Sequence, residues 1–391
     1  MQPRNRSEKG GAEVSPASLV AGHLRDLSPY VPGRAIAEIE REFGLDTVVK
    51  LASNENPVGM SPLAREAYVA AATEMHRYPE GGSPELQQAL AEHHQVDPSR
   101  VLLGNGSNEV LTLLARLFLS PGDEVVVSEG AFAIYALSAK AQGADVVTVA
   151  APAYTHDPIG MIDAVTERTR ILYLCNPNNP TGTMFGRDVW EKFLASVPQD
   201  ILVVCDNAYA EYVDHPDFPD AMLDRDRHPG LVVLRTFSKI YGMGGLRIGY
   251  GVGPDWLGDF YHRLRDPFNV NLAAEKAAVA ALRDEAHVIS SRRVNAEGRK
   301  FLRRAVKILG LAALPSETNF LTIEVGYGGD VADSLQRAGI IVRPLGGYGM
   351  PAHIRVSIGL PEENTAFAQT LAALLGFSGP GAPLLRQEET S

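Results

Sequence analysis

Short apolar runs alternate with helical patterns over the first two thirds of the chain. The runs cover residues 101–103, 124–128, 145–149, 170–175, 201–205, 231–234 and 247–251. Their apolar residues are consecutive rather than alternating, which is typical of strands covered on both faces. Helical stretches separate most of the runs, among them residues 108–119, 132–142 and 187–196. This alternation predicts an α/β fold built on a mostly parallel sheet of about seven strands.

The pattern changes near residue 272. A long helical region, residues 272–309, precedes strand-like runs at 319–325, 339–343 and 354–358, with helices near 330–338 and 362–375. We therefore predict a large unit over 57–271 and a smaller α+β unit over 272–376, with residues 21–56 returning to pack on the smaller unit. The polar ends, 1–20 and 377–391, are predicted to be a disordered arm and tail.

Composition excludes several function classes. The 391 residues are 45% hydrophobic and 21% charged, as in ordinary globular proteins, and the net charge of −11 argues against a nucleic-acid surface. No apolar stretch has membrane-spanning length, and the polar start lacks the apolar core of a secretory signal. Both cysteines, Cys175 and Cys205, lie in apolar runs, so we expect reduced core thiols, no metal site and a cytoplasmic protein.

Polar segments follow the predicted strands, at the sheet edge where α/β proteins bind ligands. They are GNGSNE at 104–109, SEGAF at 128–132, NPNNPTG at 176–182, DNAY at 206–209 and TFSK at 236–239. The glycine-rich turn before the helix at 108–119 offers free N–H groups to a phosphate, with Ser107 and Asn108 as donors. Ser238, with Thr236 as a second hydroxyl, and the cation Arg247 suit the same anion.

A second group of these residues suits an aromatic cofactor. Asp206 ends an apolar run, where a carboxylate is costly unless paired, and it could pair with a protonated ring nitrogen or cap the next helix. Tyr209 and Asn179 could reach the phenolic oxygen of a pyridoxal ring, and Phe132 could stack on its face or belong to the core. Lys239 is either a solvated surface charge or a reactive amine.

These motifs, with Arg247, resemble the fold-type I pyridoxal-phosphate aminotransferases. Further segments resemble the histidinol-phosphate aminotransferase family over residues 20–376: LSPY at 27–30, VKLASNENP at 49–57, RYPEG at 77–81, SETNF at 316–320, IIVRPLGGYGMP at 340–351 and IRVSIGLPEEN at 354–364. The resemblance implies a transaminase of the aspartate aminotransferase-like fold that uses pyridoxal 5'-phosphate. It would exchange an amino group between glutamate/2-oxoglutarate and histidinol phosphate or an aromatic amino acid.

The resemblance also implies residue roles. Lys239 would hold the cofactor through an imine bond and move a proton at the substrate, Asp206 would keep the pyridine nitrogen protonated, and Tyr209 would act beside them. The other cofactor-binding residues implied are Ser107, Asn108, Phe132, Asn179, Ser238 and Arg247, together with Tyr78, which would reach the partner's site in a homodimer. Tyr30, Arg343 and Arg355 would contact substrate, the arginines gripping carboxylate or phosphate.

Several departures from the family pattern leave the substrate open, among them the wording RYPEGGSPEL at 77–86 and three single residues. Asn207 stands where DEAY-type motifs have glutamate, Gly244 replaces a common alanine, and Gly130 replaces a bulkier residue. A different amine substrate in a specialised pathway, or a decarboxylase like the threonine-phosphate enzyme, therefore remains an alternative. A Rossmann-type dinucleotide binder, suggested by the glycine cluster at 249–253, lacks a proper GxGxxG motif. A non-enzymatic pyridoxal-binding regulator would need a DNA-binding module, which the sequence does not show.

Overall fold

The computed structural model describes residues 15–25, 27–29, 32–378, 381 and 385–387. The helices are α1 (Gly22–Arg25), α2 (Ile36–Phe43), α3 (Pro62–Ala71), α4 (Pro84–His94), α5 (Ser107–Phe118), α6 (Ala133–Lys140), α7 (Pro158–Asp163), α8 (Arg187–Ser196), α9 (Leu257–Leu264), α10 (Leu272–Leu282), α11 (Glu285–Ile308), α12 (Gly328–Arg337) and α13 (Pro361–Leu374). The strands are β1 (Val49–Lys50), β2 (Val101–Gly104), β3 (Glu124–Ser128), β4 (Asp145–Val149), β5 (Thr169–Cys175), β6 (Leu202–Asp206), β7 (Leu231–Thr236), β8 (Gly249–Val252), β9 (Ala312–Ala313), β10 (Phe320–Glu324), β11 (Ile340–Ile341), β12 (Arg343–Pro344) and β13 (His353–Ser357).

Seven strands form one sheet in the order β2-β8-β7-β6-β5-β3-β4. Only β8 runs against its neighbours β2 and β7; the other pairs are parallel. The predicted α/β class and the mostly parallel seven-stranded sheet are thus confirmed. Gly249 and Gly251 of the glycine cluster lie within β8, which is antiparallel to both neighbours, and Gly253 follows it, so the cluster does not form the glycine-rich turn at a helix N-terminus that a dinucleotide binder needs.

Both faces of the sheet are covered, which explains the continuous apolar runs. Along β5, Leu172 and Leu174 enter the core on one face, whereas Ile171 and Tyr173 enter the core on the other. Strands buried on both sides cannot show polar alternation, because each side chain meets a helical layer. The edge strand β4 is the partly exposed exception.

A second, four-stranded antiparallel sheet has the order β12-β13-β10-β9. It packs with α11, α12 and α13 around a separate apolar core. The N-terminal segment lies against it: β1 pairs in parallel with β11, and Leu51 accepts a hydrogen bond from the Ser357 N–H at 2.8 Å. This segment therefore runs beside β13, which carries Arg355.

Two predicted elements are divided. The helical region at 272–309 breaks between α10 and α11, because Asp284 accepts a hydrogen bond from the His287 N–H at 3.1 Å and caps a new helix. The run at 339–343 forms two short strands with different partners, β11 pairing with β1 and β12 with β13.

Part of the C-terminal tail is packed rather than disordered. Leu385 is 1% exposed and belongs to the core of the smaller unit, and Gln387 accepts a hydrogen bond from Asn364 at 2.8 Å. At residues 385–387 the structure differs from the expected disordered tail, because the Leu385 side chain packs in the apolar core of the smaller unit. Residues 1–14 of the predicted arm lie outside the described residues. Within the described ranges, no helix is both long and apolar enough to cross a bilayer.

Candidate active site

One cavity collects most of the predicted site residues at the carboxyl ends of the central strands. It is lined by Ser107, Asn108, Phe132, Asn179, Asp206, Tyr209, Ser238, Lys239, Arg247, Arg343 and Arg355. We call it the main cavity. Tyr78 does not line it: its side chain is 83% exposed and stacks on Phe268 with 4.9 Å between ring centroids. Tyr30 lies outside the described residues.

Lys239 follows β7 and turns its amine into the main cavity. Its Nζ donates to the Ser53 carbonyl at 3.4 Å and lies 5.7 Å from the centroid of the Tyr209 ring. The pKa of Lys239 is lowered to about 8, chiefly by burial and also by the nearby Arg355 and Arg247 cations, against the opposing effects of Glu55 and Asp206. An amine with this pKa is partly neutral near pH 7, which is the protonation state of a nucleophile or base.

Asp206 is the last residue of β6 and is 5% exposed. Its Oδ2 accepts a hydrogen bond from the Tyr135 hydroxyl at 2.8 Å, and its Oδ1 accepts one from the Ala208 N–H at 3.1 Å. Burial raises its pKa, whereas these two donors and the charge of Lys239 oppose the rise. A buried carboxylate of this kind is stabilised by a cationic partner inside the cavity.

The turn before α5 forms an anion cradle. Gly106 has φ of +80°, and a Cβ at this position would collide with the Arg247 guanidinium. A Cβ at Gly249 would likewise collide with the Ser107 N–H. Ser107 begins the twelve-residue α5, whose first N–H groups lack helical acceptors. Because Gly106 and Gly249 have no side chains, the backbone donors, the N-terminus of α5 and the Arg247 guanidinium can lie close together.

Hydrogen bonds join the part of the main cavity lined by Asn179 and Tyr209 to the smaller unit and to the N-terminal segment. Arg355, 7% exposed, donates from Nη1 to Asn179 Oδ1 at 2.5 Å and from Nη2 to the Ala52 carbonyl at 2.8 Å. Asn54 Nδ2 donates to the Tyr209 hydroxyl at 2.9 Å. Burial raises the pKa of Tyr209, so its phenol stays protonated and can donate.

The two arginines of the smaller unit share one face. Arg343 on β12 and Arg355 on β13 are directly paired in the antiparallel register. Residues paired in this way have Cβ atoms roughly 5 Å apart and project to the same side. Both line the main cavity, which is also lined by Asp206.

Several lining residues were not predicted from the sequence, namely Gly33, Ala52, Ser53, Asn54, Cys175, Ala208 and Tyr348. Tyr135, which contacts Asp206, was also missed. A signal for Tyr135 existed, because it lies three residues after Phe132, which directly precedes α6, and the two rings are in contact with 5.7 Å between their centroids. Ser53 contributes a backbone carbonyl, which no side-chain pattern could reveal.

The three single-residue departures occupy different places. Asn207 is fully buried and donates from Nδ2 to the Asn176 carbonyl at 2.7 Å, behind the loop that carries Asn179. Gly130 has φ of +63° with open space where a Cβ would be. Gly244 lies in a short 3-10 turn beside Arg247, whose Nη1 donates to its carbonyl at 3.0 Å. None of them replaces a group that lines the main cavity.

Comparisons with known proteins agree with this geometry. The family model of aminotransferase class I and II matches residues 46–371. Histidinol-phosphate aminotransferase 2 of Pseudomonas aeruginosa is 48% identical over 361 residues, covering 92% of this chain and 98% of the relative. Histidinol-phosphate aminotransferase 1 of Nitrosococcus oceani is 46% identical over 91% of this chain and 97% of the relative.

Solved structures show the same fold. Histidinol-phosphate aminotransferase from Sinorhizobium meliloti, in complex with pyridoxal-5'-phosphate, superposes with a TM-score of 0.83 at 28% identity, covering 92% of this chain and 98% of that one. A double mutant of Thermus thermophilus aspartate aminotransferase superposes with a TM-score of 0.78 at 25% identity, covering 92% of this chain and 99% of that one. The chain therefore belongs to the class I and II aminotransferase family.

Proposed function

We propose that the protein is a pyridoxal-phosphate-dependent transaminase that moves an amino group between glutamate/2-oxoglutarate and histidinol phosphate or an aromatic amino acid. The observation that carries the proposal is one cavity holding an amine with a pKa of about 8, a buried carboxylate and two arginines in register. The names of the relatives at 46–48% identity support histidinol phosphate as the donor.

The residues fit pyridoxal phosphate at both of its ends. The cradle of Ser107, Asn108, Ser238 and Arg247 suits a phosphate dianion. Asp206 supplies the anionic partner of a protonated ring nitrogen, and Tyr209 can donate to the ring oxygen. When bound, the cofactor serves as the electron sink for negative charge developing at the α-carbon of the amino donor.

The remaining steps belong to the side chains of the protein. Lys239 would hold the cofactor covalently through Nζ and, once released by the incoming amine, its free amine would take the proton from the α-carbon of the donor and deliver it to C4′ of the cofactor. Asn179 accepts from Arg355, which leaves its amide NH₂ as the donor for the ring oxygen. Phe132 packs against the ring face. Arg355 and Arg343 grip the anionic groups of the two substrates.

An absorbance experiment tests this function directly. Purified protein given excess pyridoxal phosphate should develop a band near the visible edge, and Lys239→Ala should abolish it. Histidinol phosphate, phenylalanine and glutamate are then added singly, without an oxo acid. Loss of the band without release of carbon dioxide supports a transaminase. Release of carbon dioxide would instead identify a decarboxylase, and absence of the band in the wild type would refute the cofactor assignment.

The proposal includes a cytoplasmic homodimer in which Tyr78 reaches the partner's site, and Tyr30 contributes to substrate binding. Tyr78 is exposed and does not line the main cavity, and its ring stacks on that of Phe268, which is itself 42% exposed. Exposed apolar side chains grouped in this way are typical of a protein interface.

Subunit complementation tests the shared site. A dimer of one Lys239→Ala chain and one Tyr78→Ala chain would contain one intact site, so random reassortment should restore about a quarter of wild-type activity. Mixing Tyr78→Ala with the double variant Tyr78→Ala/Lys239→Ala is the matched control and should restore none. Equal activities in the two mixtures would show that Tyr78 does not act across the interface.

A further inference from the structure

A second cavity of about 700 Å³ lies between α6 and the strands β3 and β4. We call it the side cavity. Its walls are mostly apolar, with contributions from Val127, Ala133, Ala136, Leu137, Val146 and Thr148. This volume is in the usual range for sites that take small organic molecules.

The side cavity continues from the main cavity. Phe132, Arg343 and Tyr348 line both of them, so these three residues form the junction. Gly130 also lines the side cavity, and open space lies where its Cβ would be. A molecule held in the main cavity can therefore extend past the junction without displacing a side chain at position 130.

The two arginines differ in which cavity they line. Arg355 is buried, tied to Asn179 and Ala52, and lines only the main cavity. Arg343 is half-buried and faces both cavities. An anionic group near the reacting carbon would meet Arg355, and a short anionic side chain would end at Arg343. Beyond Arg343 the walls are mostly apolar, and the two charged residues that also line them, Glu129 and Lys140, have opposite signs, so the walls favour an uncharged ring over a carboxylate.

We propose that the side cavity is a substrate subsite that takes the ring of the ring-bearing amino donor, whereas glutamate ends at Arg343 and does not enter. This inference rests on the proposed transaminase function and adds how one site accepts two substrates of different length and polarity. Tyr348 lies where a ring passes from one cavity into the other, in the 3-10 turn Gly346–Tyr348 that follows β12.

Filling the side cavity tests the subsite. Ala136→Phe fills it from α6, and Thr148→Trp fills it from the exposed side of β4, where a large side chain threatens folding least. Ala141→Phe is the matched control, because Ala141 caps the same helix without lining the cavity. The half-reaction is followed in the holoenzyme by loss of the visible band, with histidinol phosphate, phenylalanine and glutamate in turn.

Both filling variants should lower kcat/KM at least tenfold for histidinol phosphate and phenylalanine and leave the value for glutamate within twofold. Ala141→Phe should leave all three unchanged. Equal losses for all donors, or no loss for the ring-bearing donors, would overturn the subsite while the transaminase function stands. A wild-type protein that converts none of the donors would overturn the proposed function, and the subsite with it.

Discussion

The Tyr135 hydroxyl offers a sharp test of how Asp206 is kept ionised. Tyr135 is fully buried, stacks on Tyr173 with 4.9 Å between ring centroids, and donates to Asp206 Oδ2 at 2.8 Å. The substitution Tyr135→Phe removes this donor and keeps the ring. Among the residues that the structure describes, the hydrogen-bond donor that Asp206 then retains is the Ala208 N–H, at 3.1 Å.

The magnitude follows from the type of bond. A hydrogen bond to a buried charged group contributes about 1.5–3 kcal/mol, which corresponds to roughly a 10- to 150-fold change in an equilibrium or rate constant. Because the Tyr135 hydrogen bond lowers the pKa of Asp206, its loss must raise that pKa. The carboxylate then pairs less well with a ring proton, and the rate constant of the glutamate half-reaction should fall at least tenfold.

Stopped-flow absorbance under single-turnover conditions measures this rate constant across pH. The acidic limb of the profile should move to higher pH in Tyr135→Phe, since the carboxylate becomes protonated more readily. Tyr173→Phe is the matched control, because the Tyr173 hydroxyl is buried and has no hydrogen-bond partner. If Tyr135→Phe and Tyr173→Phe both retain the wild-type rate and profile, the hydrogen bond does not support Asp206.

Three further outcomes are expected. The rate of cofactor binding to the apoprotein should rise through pH 8 and level off above pH 9, because the neutral amine of Lys239 is the reactive form. A pKa of about 8 instead of 10.5 makes that form about 300-fold more abundant at pH 7. A rate that continues to rise beyond pH 10 in stopped-flow traces would contradict this. Arg355→Lys should raise the KM for glutamate at least tenfold in steady-state assays, because one ammonium cannot replace the paired bonds to Asn179 and Ala52; an unchanged KM would count against Arg355 as the anion site. Leu385→Ala should lower the free energy of unfolding in urea by about 2–5 kcal/mol; a loss below 0.5 kcal/mol would mean that the tail is not docked.

Sequence patterns predicted what local chemistry and periodicity control. The strands β3 and β4 and the helix α8 have the predicted bounds. Their apolar runs and helical spacing are local patterns, which can be identified from neighbouring residues alone. Most of the main cavity was also predicted, since the carboxyl ends of parallel strands converge and their polar residues follow each strand directly.

What remained hidden depends on contacts between distant segments. The Ser53 carbonyl near Lys239 comes from a segment 186 residues away, and the Asn364–Gln387 contact joins the predicted last helix to a tail with no periodic pattern of its own. Asp284 is a residue type that often caps helices, so the sequence contained a signal for the division between α10 and α11. The strong helical pattern on both sides nevertheless favoured one continuous helix.

The Arg343–Arg355 pair also bears on the thermodynamic cost of the site. Like charges directly opposite on neighbouring strands destabilise a sheet, by about 0.2–1 kcal/mol for a typical pair. The protein therefore gives up folding stability at the place where it binds anions, as proteins often do at functional sites. A bound dicarboxylate reverses this repulsion and stabilises the folded state by mass action, about 2.7 kcal/mol at a hundred times its Kd. Substrate supply and resistance to unfolding are thus linked through one cross-strand pair.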